Sequence, residues 1–303
     1  MRKQLTSPHN ALILLLTVFL ALFYVSLSCA RTVTDEIGRS VNISAAPRRI
    51  VSLAPGITET LYELGLDDKI VGVTSYCNWP PRARQKTRIG GFTNPSIEKI
   101  VSLKPDLIIA TADGNRKDTV NQLERLGLSV YVTNPSDTDR ILKSILHIGE
   151  ITDKKNAAEK LVEKLRKRLD NITAQIRNKK KPRVFFQIGL EPVITAGKGT
   201  LISEVIDRAG GINIAGNDAA RYPRYGAEGI MAGSPDIILF APMSNDKELE
   251  AVKSYWQKLT QIPAIKNNKI YLINTDLISR ASPRIFDAIE TMALIFHPEI
   301  KIK

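Results

Sequence analysis

Continuous apolar runs alternate with amphipathic segments along most of the chain. Short runs rich in Ile and Val predict buried parallel strands. The first half contains four such runs, at residues 49–53, 70–73, 107–111 and 130–133. Apolar residues at three- and four-residue steps predict helices at 58–64 and 116–126, and Gly65 and Gly127 follow them at positions that favour a left-handed cap. This alternation predicts an α/β lobe with a parallel sheet.

The second half repeats the pattern. Strand-like runs lie at residues 183–188, 236–240 and 269–273. A helix is predicted over 201–209, ending at Gly210 and Gly211. The chain has 303 residues, more than the usual domain size of about 100–200, so we expect two lobes with separate cores.

A segment without any strand pattern separates the two halves. Its apolar residues recur at helical spacing, at Ile141, Ile145, Ile148, Leu161, Leu165, Leu169, Ile172 and Ile176. We predict one helix over 156–181, about 39 Å long at about 1.5 Å per residue, with Lys and Arg on solvated faces. The predicted fold is α/β. Two three-layer α/β lobes, at 31–138 and 182–303, are joined by one long backbone helix within a connecting segment at 139–181.

The N-terminus has the composition of an export signal. Arg2 and Lys3 precede an apolar run at residues 11–27, and Ser28 and Ala30 follow at the spacing of a cleavage site. We interpret residues 1–30 as a signal peptide and expect a periplasmic protein. Cys29 leaves lipid anchoring open as the alternative.

Charge and cysteine content narrow the function classes. The formal net charge is +12, but the basic residues are scattered or follow the connecting helix, and they do not cluster with aromatics on a nucleic-acid-binding module. We therefore expect no nucleic-acid partner. Besides Cys29 the chain has Cys77 alone, which excludes an intramolecular disulfide in the mature protein.

One signature occurs in both halves. Glu98 lies eight residues before Asp106 of a Pro-Asp pair, and Glu228 lies eight residues before Asp236 of a second Pro-Asp pair. The spacing predicts a short helix opened by each Glu, then a turn and a buried strand. Equivalent carboxylates on two lobes suit a partner with two-fold symmetry and paired arginines. A plain helix-start role for both acids is the alternative.

Four further motifs follow one another in order. They are SLAPGITE at 52–59, VGVTSYCNWPP at 71–81, LKPDLII at 103–109 and RASPR at 280–284. With them the chain resembles the periplasmic cobalamin-binding proteins of ABC importers over residues 48–293. The resemblance implies a class III periplasmic binding protein, a monomer that holds its ligand between the lobes with little closure. It also implies that Glu98 and Glu228 dock onto a permease dimer, which works with ATPase subunits.

The resemblance also indicates ligand-binding residues. The family's cleft tyrosine corresponds to Tyr76, and its Asp-to-Arg segment corresponds to Asp276 and Arg280. With Phe92 and Tyr222, these residues suit a corrin, because aromatic rings pack its broad face and polar groups meet its amide edge. A corrinoid such as cobalamin is expected as the transported ligand, and no cofactor, metal-binding residue or catalytic residue is predicted.

The chain departs from the family at several aromatic positions. Phe92, Tyr222 and Thr111 stand where close relatives have tryptophan, and Ile194 stands where a phenylalanine is expected. The lower aromatic content leaves cobinamide, haem and a ferric siderophore open as ligands.

Rival functions have less support. A zinc or manganese receptor needs several His ligands, and the chain has His9, His147 and His297, of which His9 lies in the leader. An α/β hydrolase needs a nucleophile with a base, but no Gly-x-Ser-x-Gly motif is present and Cys77 has no assigned His partner. A surface accessory protein or an adhesin lipoprotein built on the same lobes remains an alternative function.

Overall fold

The computed structural model describes residues 30–241 and 246–302. The strands are β1 (Ala30–Thr34), β2 (Ser40–Ser44), β3 (Ile50–Ser52), β4 (Ile70–Val73), β5 (Leu107–Thr111), β6 (Val130–Thr133), β7 (Arg183–Leu190), β8 (Val193–Thr195), β9 (Ile212–Asn213), β10 (Ile237–Phe240) and β11 (Ile270–Leu272). The helices are α1 (Pro55–Glu63), α2 (Ile97–Ser102), α3 (Lys117–Arg125), α4 (Thr138–Ile151), α5 (Lys155–Ile176), α6 (Leu201–Arg208), α7 (Ala227–Gly233), α8 (Asp246–Gln257), α9 (Pro263–Lys266), α10 (Thr275–Ile278) and α11 (Ile285–Phe296). Within these described ranges, no helix combines the length and apolarity that crossing a membrane requires.

The first lobe is built on a four-stranded parallel sheet in the order β4-β3-β5-β6. Ile50 at the start of β3 lies opposite Ile70 on one side and Leu107 on the other. The strands predicted at 70–73 and 107–111 match β4 and β5 at both ends. The α/β prediction is confirmed for this lobe.

The second lobe repeats the strand order of the first. β7 pairs in parallel with β9 and β10, and β10 pairs in parallel with β11. The order β9-β7-β10-β11 therefore corresponds to β4-β3-β5-β6. The antiparallel strand β8 is an addition that flanks the end of β7. The prediction of two related α/β lobes is confirmed.

Both sheets are buried on both faces, because successive strand residues enter different clusters. The residues that face one cluster shared by both lobes are Ile50, Leu107, Ile109, Val184, Phe186, Ile237 and Leu239. Those that face the outer cluster of their own lobe are Val51, Ile108, Ala110, Phe185, Ile238 and Phe240. Helices cover each face, so each lobe has three layers.

Two helices, α4 and α5, connect the lobes along the shared cluster. The helix predicted over 156–181 is too long at its C-terminal end, because α5 has 22 residues and ends at Ile176. Pro182 disfavours a helical conformation in the preceding residue, and β7 begins directly after it. At about 1.5 Å per residue, α5 extends about 33 Å.

Arg168 ties the connecting helix to the second lobe. It lies on the face of α5 that we predicted to be solvated, yet its guanidinium contacts Asp287 and Glu290 of α11, each at 2.6 Å. The prediction was wrong at this position, because the acids that pair with Arg168 lie more than 100 residues further along the chain.

An antiparallel hairpin of β1 and β2 precedes the first lobe's sheet. The sequence pattern did not predict it, because its strands carry polar residues at alternate positions and contain no continuous apolar run. Val41 and Ile43 of β2 enter the shared cluster. The predicted leader at 1–30, including Cys29, lies outside the described residues except for Ala30, which begins β1.

The doubled Glu and Pro-Asp signature forms the same structure in both lobes. Glu98 is the second residue of α2, and Glu228 is the second residue of α7. Each helix is followed by a residue with positive φ, Lys104 at 45° and Ser234 at 42°. The chain turns there and enters the strand that neighbours the central strand of its lobe.

The aspartate of each Pro-Asp pair holds the start of the central strand. Asp106 accepts hydrogen bonds from two backbone N–H groups before β3, at 2.7 and 2.9 Å, and Asp236 accepts one from the backbone N–H of Arg183 at 2.8 Å. The side chains of Arg49 and Arg183 donate to carbonyl oxygens at the C-terminal ends of α2 and α7. In each lobe, the aspartate contact and the arginine contact therefore both link the short helix and its turn to the start of the central strand.

We expect Asp106→Ala to lower the free energy of unfolding by about 1.5–3 kcal/mol, because two backbone donors lose a charged acceptor. Asp236→Ala should cost less, since Asp236 accepts one such bond. Urea unfolding measures both values. Asp118→Ala, at a side chain that is 86% exposed, is the control. Equal losses in all three variants would contradict the role of these aspartates.

Candidate functional site

A cavity of about 530 Å³ is lined by both lobes. In the first lobe, its walls come from the segments that follow β3, β4, β5 and β6 and from one face of α4. The second lobe completes it with Asp276, Ser279, Arg280 and Ala281. The carboxyl ends of parallel strands are where open α/β sheets bind ligands, so this cavity is the candidate site.

Two predicted aromatic residues line the cavity. Tyr76, after β4, is 62% exposed, and Phe92 is half-buried. Gly114 allows the ring of Phe92 to lie where it does, because a Cβ at residue 114 would be 2.1 Å from Cε1 of Phe92. Gly114 also has a φ of +119°, which disfavours any side chain there. Tyr76 and Phe92 therefore offer apolar surface to one ligand.

Asp276 and Arg280 also line the cavity, but they differ in accessibility. Nη2 of Arg280 lies 2.5 Å from Oδ1 of Asp276, and the side chains are 8% and 37% exposed. Asn78 bridges them, since its Nδ2 donates to Asp276 at 2.8 Å and its Oδ1 accepts from Arg280 at 2.8 Å. Asp276 is the more accessible of the two charges.

Glu59 joins the two lobes beneath this pair. Its side chain, on α1 of the first lobe, is 1% exposed. Its carboxylate accepts from Nη1 of Arg280 at 2.7 Å and from the hydroxyl of Ser282 at 2.6 Å. Arg284 lies 3.4 Å away, and its guanidinium stacks 4.2 Å from the ring centre of Trp79. A buried carboxylate is tolerated here because it is paired and hydrogen-bonded.

Tyr222 does not line the cavity. Its side chain is 54% exposed, and the guanidinium of Arg221 lies 6.0 Å from its ring centre. Nearby, the hydroxyl of Tyr225 donates to Asp218 at 2.7 Å, and burial together with this hydrogen bond raises the pKa of Tyr225 to about 12. The structure therefore brings four of the five predicted ligand-binding residues to one cavity and leaves Tyr222 outside it.

The wall formed by α4 contains a second polar cluster. Ser144 lines the cavity and donates to Glu36 at 2.7 Å. Nδ1 of His147 lies 3.2 Å from the same carboxylate, and this hydrogen bond raises the pKa of His147. Glu36 also accepts from the backbone N–H of Asn134 at 2.6 Å, which fixes the segment after β6.

Glu98 and Glu228 are exposed and do not line the cavity. Each lies in the first turn of a helix that leads directly into a strand. Because such a helix runs antiparallel to its strands, its first turn lies at the carboxyl edge of the sheet. The two carboxylates therefore occupy equivalent positions at the cleft side of their lobes.

Sequence reasoning missed several residues of the site. Glu59, Asn78 and Ser282 lie in the motifs at 52–59, 71–81 and 280–284, but the sequence alone does not predict them as site residues. One signal was present, because Glu59 is the one charged residue between positions 50 and 62, and an acid in such an apolar stretch is unusual unless a cation is near. In the described part of the chain, no group of three or more His, Cys, Asp or Glu side chains is arranged to hold a metal ion.

Comparison with known proteins agrees with this geometry. A family model described as "Periplasmic binding protein" matches residues 50–277. A vitamin B12-binding protein of Vibrio cholerae is 32% identical over 244 residues, which cover 80% of this chain and 86% of that protein.

Solved structures show the same similarity. The periplasmic vitamin B12 binding protein of Vibrio cholerae superposes with a TM-score of 0.73 at 30% identity, covering 82% of this chain and 96% of its own. A periplasmic heme-binding protein from Roseiflexus sp. RS-1 gives a TM-score of 0.74 at 26% identity, with 83% and 98% covered.

We expect Gly56→Ala to push the lobes apart at the site. A Cβ at residue 56 of α1 would lie 2.5 Å from the carbonyl oxygen of Ala281 in the second lobe. Overpacking of this kind costs about 1–3 kcal/mol, which a lower thermal unfolding midpoint would report. Gly226→Ala is the control, because nothing lies within 4 Å of its Cβ position. An unchanged midpoint for Gly56→Ala would refute the close inter-lobe contact.

Proposed function

This chain belongs to the periplasmic binding protein family, and we propose that it captures a corrinoid between its lobes and delivers it to an ABC transporter. The observation that carries the proposal is the two-lobed cavity with Tyr76, Phe92 and Asp276 on its walls. Its volume of about 530 Å³ lies within the usual range of ligand sites, about 300–1,000 Å³. The family acts outside the cytoplasm, and processing at Ala30 or lipidation at Cys29 are the two proposed routes there.

The chemistry of the walls supports a corrinoid. A corrin is a broad, mostly apolar macrocycle with amide groups at its edge. The exposed ring of Tyr76 and the half-buried ring of Phe92 offer flat apolar contact, and Asp276 offers a hydrogen-bond acceptor at the rim. The relatives from Vibrio cholerae, which are named for vitamin B12 binding, support the same ligand class.

Haem is the second candidate ligand. The similarity to a heme-binding protein at 26% identity favours it, as does the size of a flat tetrapyrrole. Among the described residues that line the cavity, Tyr76 is the one His, Cys, Met or Tyr, so it would be the single axial ligand of a bound haem.

Purified mature protein should bind cobinamide or cyanocobalamin with one ligand per chain and a change in the visible bands of the corrin. Tyr76→Ala should weaken binding about tenfold or more, because loss of one stacked ring costs about 0.5–1.5 kcal/mol beyond the lost area. Calorimetry and visible titration measure both effects.

Tyr271→Ala, on β11 away from the cavity, is the control for the loss of a tyrosine. Saturable binding of haem, with no binding of either corrinoid, would identify haem as the ligand in place of a corrinoid. The absence of binding to all three compounds would refute the proposed function.

The proposed partner is a permease dimer with its ATPase subunits, docked at Glu98 and Glu228. The repeated position of these exposed carboxylates, one in each lobe, supports this assignment. Two equivalent acids on a pseudo-symmetric protein complement two equivalent arginine sites on a symmetric dimer.

The double variant Glu98→Ala/Glu228→Ala should keep its ligand affinity and lose stimulation of the transporter ATPase in proteoliposomes. The matched control is Glu159→Ala/Glu163→Ala, which removes two exposed carboxylates from α5. Collapse of ligand affinity in the first variant would assign its acids to the cleft. Full stimulation would show that docking uses other residues.

A further inference from the structure

The most constrained charge at the cavity is Arg280. A guanidinium has five N–H donors, and Arg280 uses three of them in hydrogen bonds within the protein and is also ion-paired with Asp276. Nη1 donates to Glu59 at 2.7 Å and to Asn78 at 2.8 Å. Nη2 contacts Asp276 at 2.5 Å and the carbonyl oxygen of Tyr76 at 3.3 Å. Arg280 is therefore committed to protein acceptors before any ligand arrives.

We propose that Glu59 is a positioning residue that withholds Arg280 from the ligand, so that Asp276 faces it and the site selects amide-bearing corrinoids over tetrapyrrole carboxylates. This inference rests on the proposed function and specifies its substrate class. It also changes the role of Arg280, which sequence resemblance assigned to ligand binding. The arginine instead orients an acceptor.

The charges around the cavity favour hydrogen-bond donors on the ligand. Oδ2 of Asp276 accepts a hydrogen bond from Asn78 and Oδ1 is ion-paired with Arg280, so the carboxylate keeps acceptor sites for a ligand. With 37% of its side chain exposed, Asp276 can reach an amide N–H. Asp113, an exposed acid of the first lobe that also lines the cavity, adds a second acceptor. A ligand carboxylate at either position meets like charge.

No other cation among the described residues that line the cavity offsets these acids. Within the described part of the chain, Arg280 is the one Lys or Arg that lines it. The exposed cations on loops of the second lobe, Lys198, Arg221 and Arg224, do not line it. Glu59, 1% exposed, uses its charge on the buried side of Arg280. The accessible charge is thus negative.

Removing the charge of Glu59 tests this arrangement. In Glu59→Gln the side-chain shape is kept, but Arg280 loses its buried counter-ion and becomes available to the cavity. The probes are cobinamide and cobyrinic acid, which share a corrin ring and differ in carrying amides or carboxylates at its edge. The matched control is Glu63→Gln, an exposed position one turn later on the same helix. Equilibrium dialysis with visible detection gives each dissociation constant.

Wild-type protein and Glu63→Gln should prefer cobinamide. In Glu59→Gln the cobinamide affinity should fall and the cobyrinic acid affinity should rise, shifting their ratio about tenfold or more, as expected when a charge-assisted hydrogen bond is redirected. If Glu59 had a purely structural role, the substitution would weaken the binding of both ligands by the same factor and leave the ratio of their dissociation constants unchanged. That result, or no change at all, would overturn the proposal.

Asp276→Asn, at a partly exposed site, provides a second test if Glu59→Gln does not fold. It replaces the acceptor by a group that also donates, so the preference for cobinamide should shrink by a similar factor. An unchanged preference would overturn the proposal. Wild-type protein that prefers cobyrinic acid would also overturn it while leaving corrinoid binding in place. Wild-type protein that binds neither probe would instead refute the proposed function.

Discussion

The buried charge of Glu59 is the constraint on which the arrangement of the two lobes depends. A carboxylate removed from water is costly unless cations and donors surround it. Its partners Arg280, Ser282 and Arg284 all belong to the second lobe, while Glu59 belongs to the first. Separating the lobes would leave these charges unpaired. The lobes are therefore joined at two places, by the contacts of Glu59 and by the connecting helices α4 and α5. The cavity is thus formed before ligand binding.

The same local arrangement of short helix, turn and strand occurs in both lobes. In each, an aspartate after a short helix accepts from the backbone at the start of the central strand, and an arginine there donates back to the end of that helix. The repetition fixes where each short helix ends relative to the central strand of its lobe. The fold alone therefore places Glu98 and Glu228 at equivalent positions in the two lobes, independently of any binding partner.

The sequence predicted those parts of the fold whose burial is continuous. Strand β5 is buried at every position and apolar at four of its five residues because both faces are covered, whereas the half-buried hairpin of β1 and β2 left no comparable run. The long helix was predicted beyond its true end, since lysines favour helix until Pro182 intervenes. At the site, Glu59 and Arg280 are 221 residues apart, and their pairing is a property of the folded chain that no local pattern contains. The same holds for Tyr222, whose exclusion from the cavity depends on how its loop folds.

The contact between Phe92 and Gly114 restricts how the cavity changes in evolution. The ring of Phe92 occupies the place where a side chain at residue 114 would begin. A relative with any other residue at 114 must therefore carry a smaller residue at 92 or move the loop, and a relative with a larger ring at 92 needs glycine at 114. These two positions should co-vary across homologues, so the pair reports in sequence alone whether the aromatic wall is present.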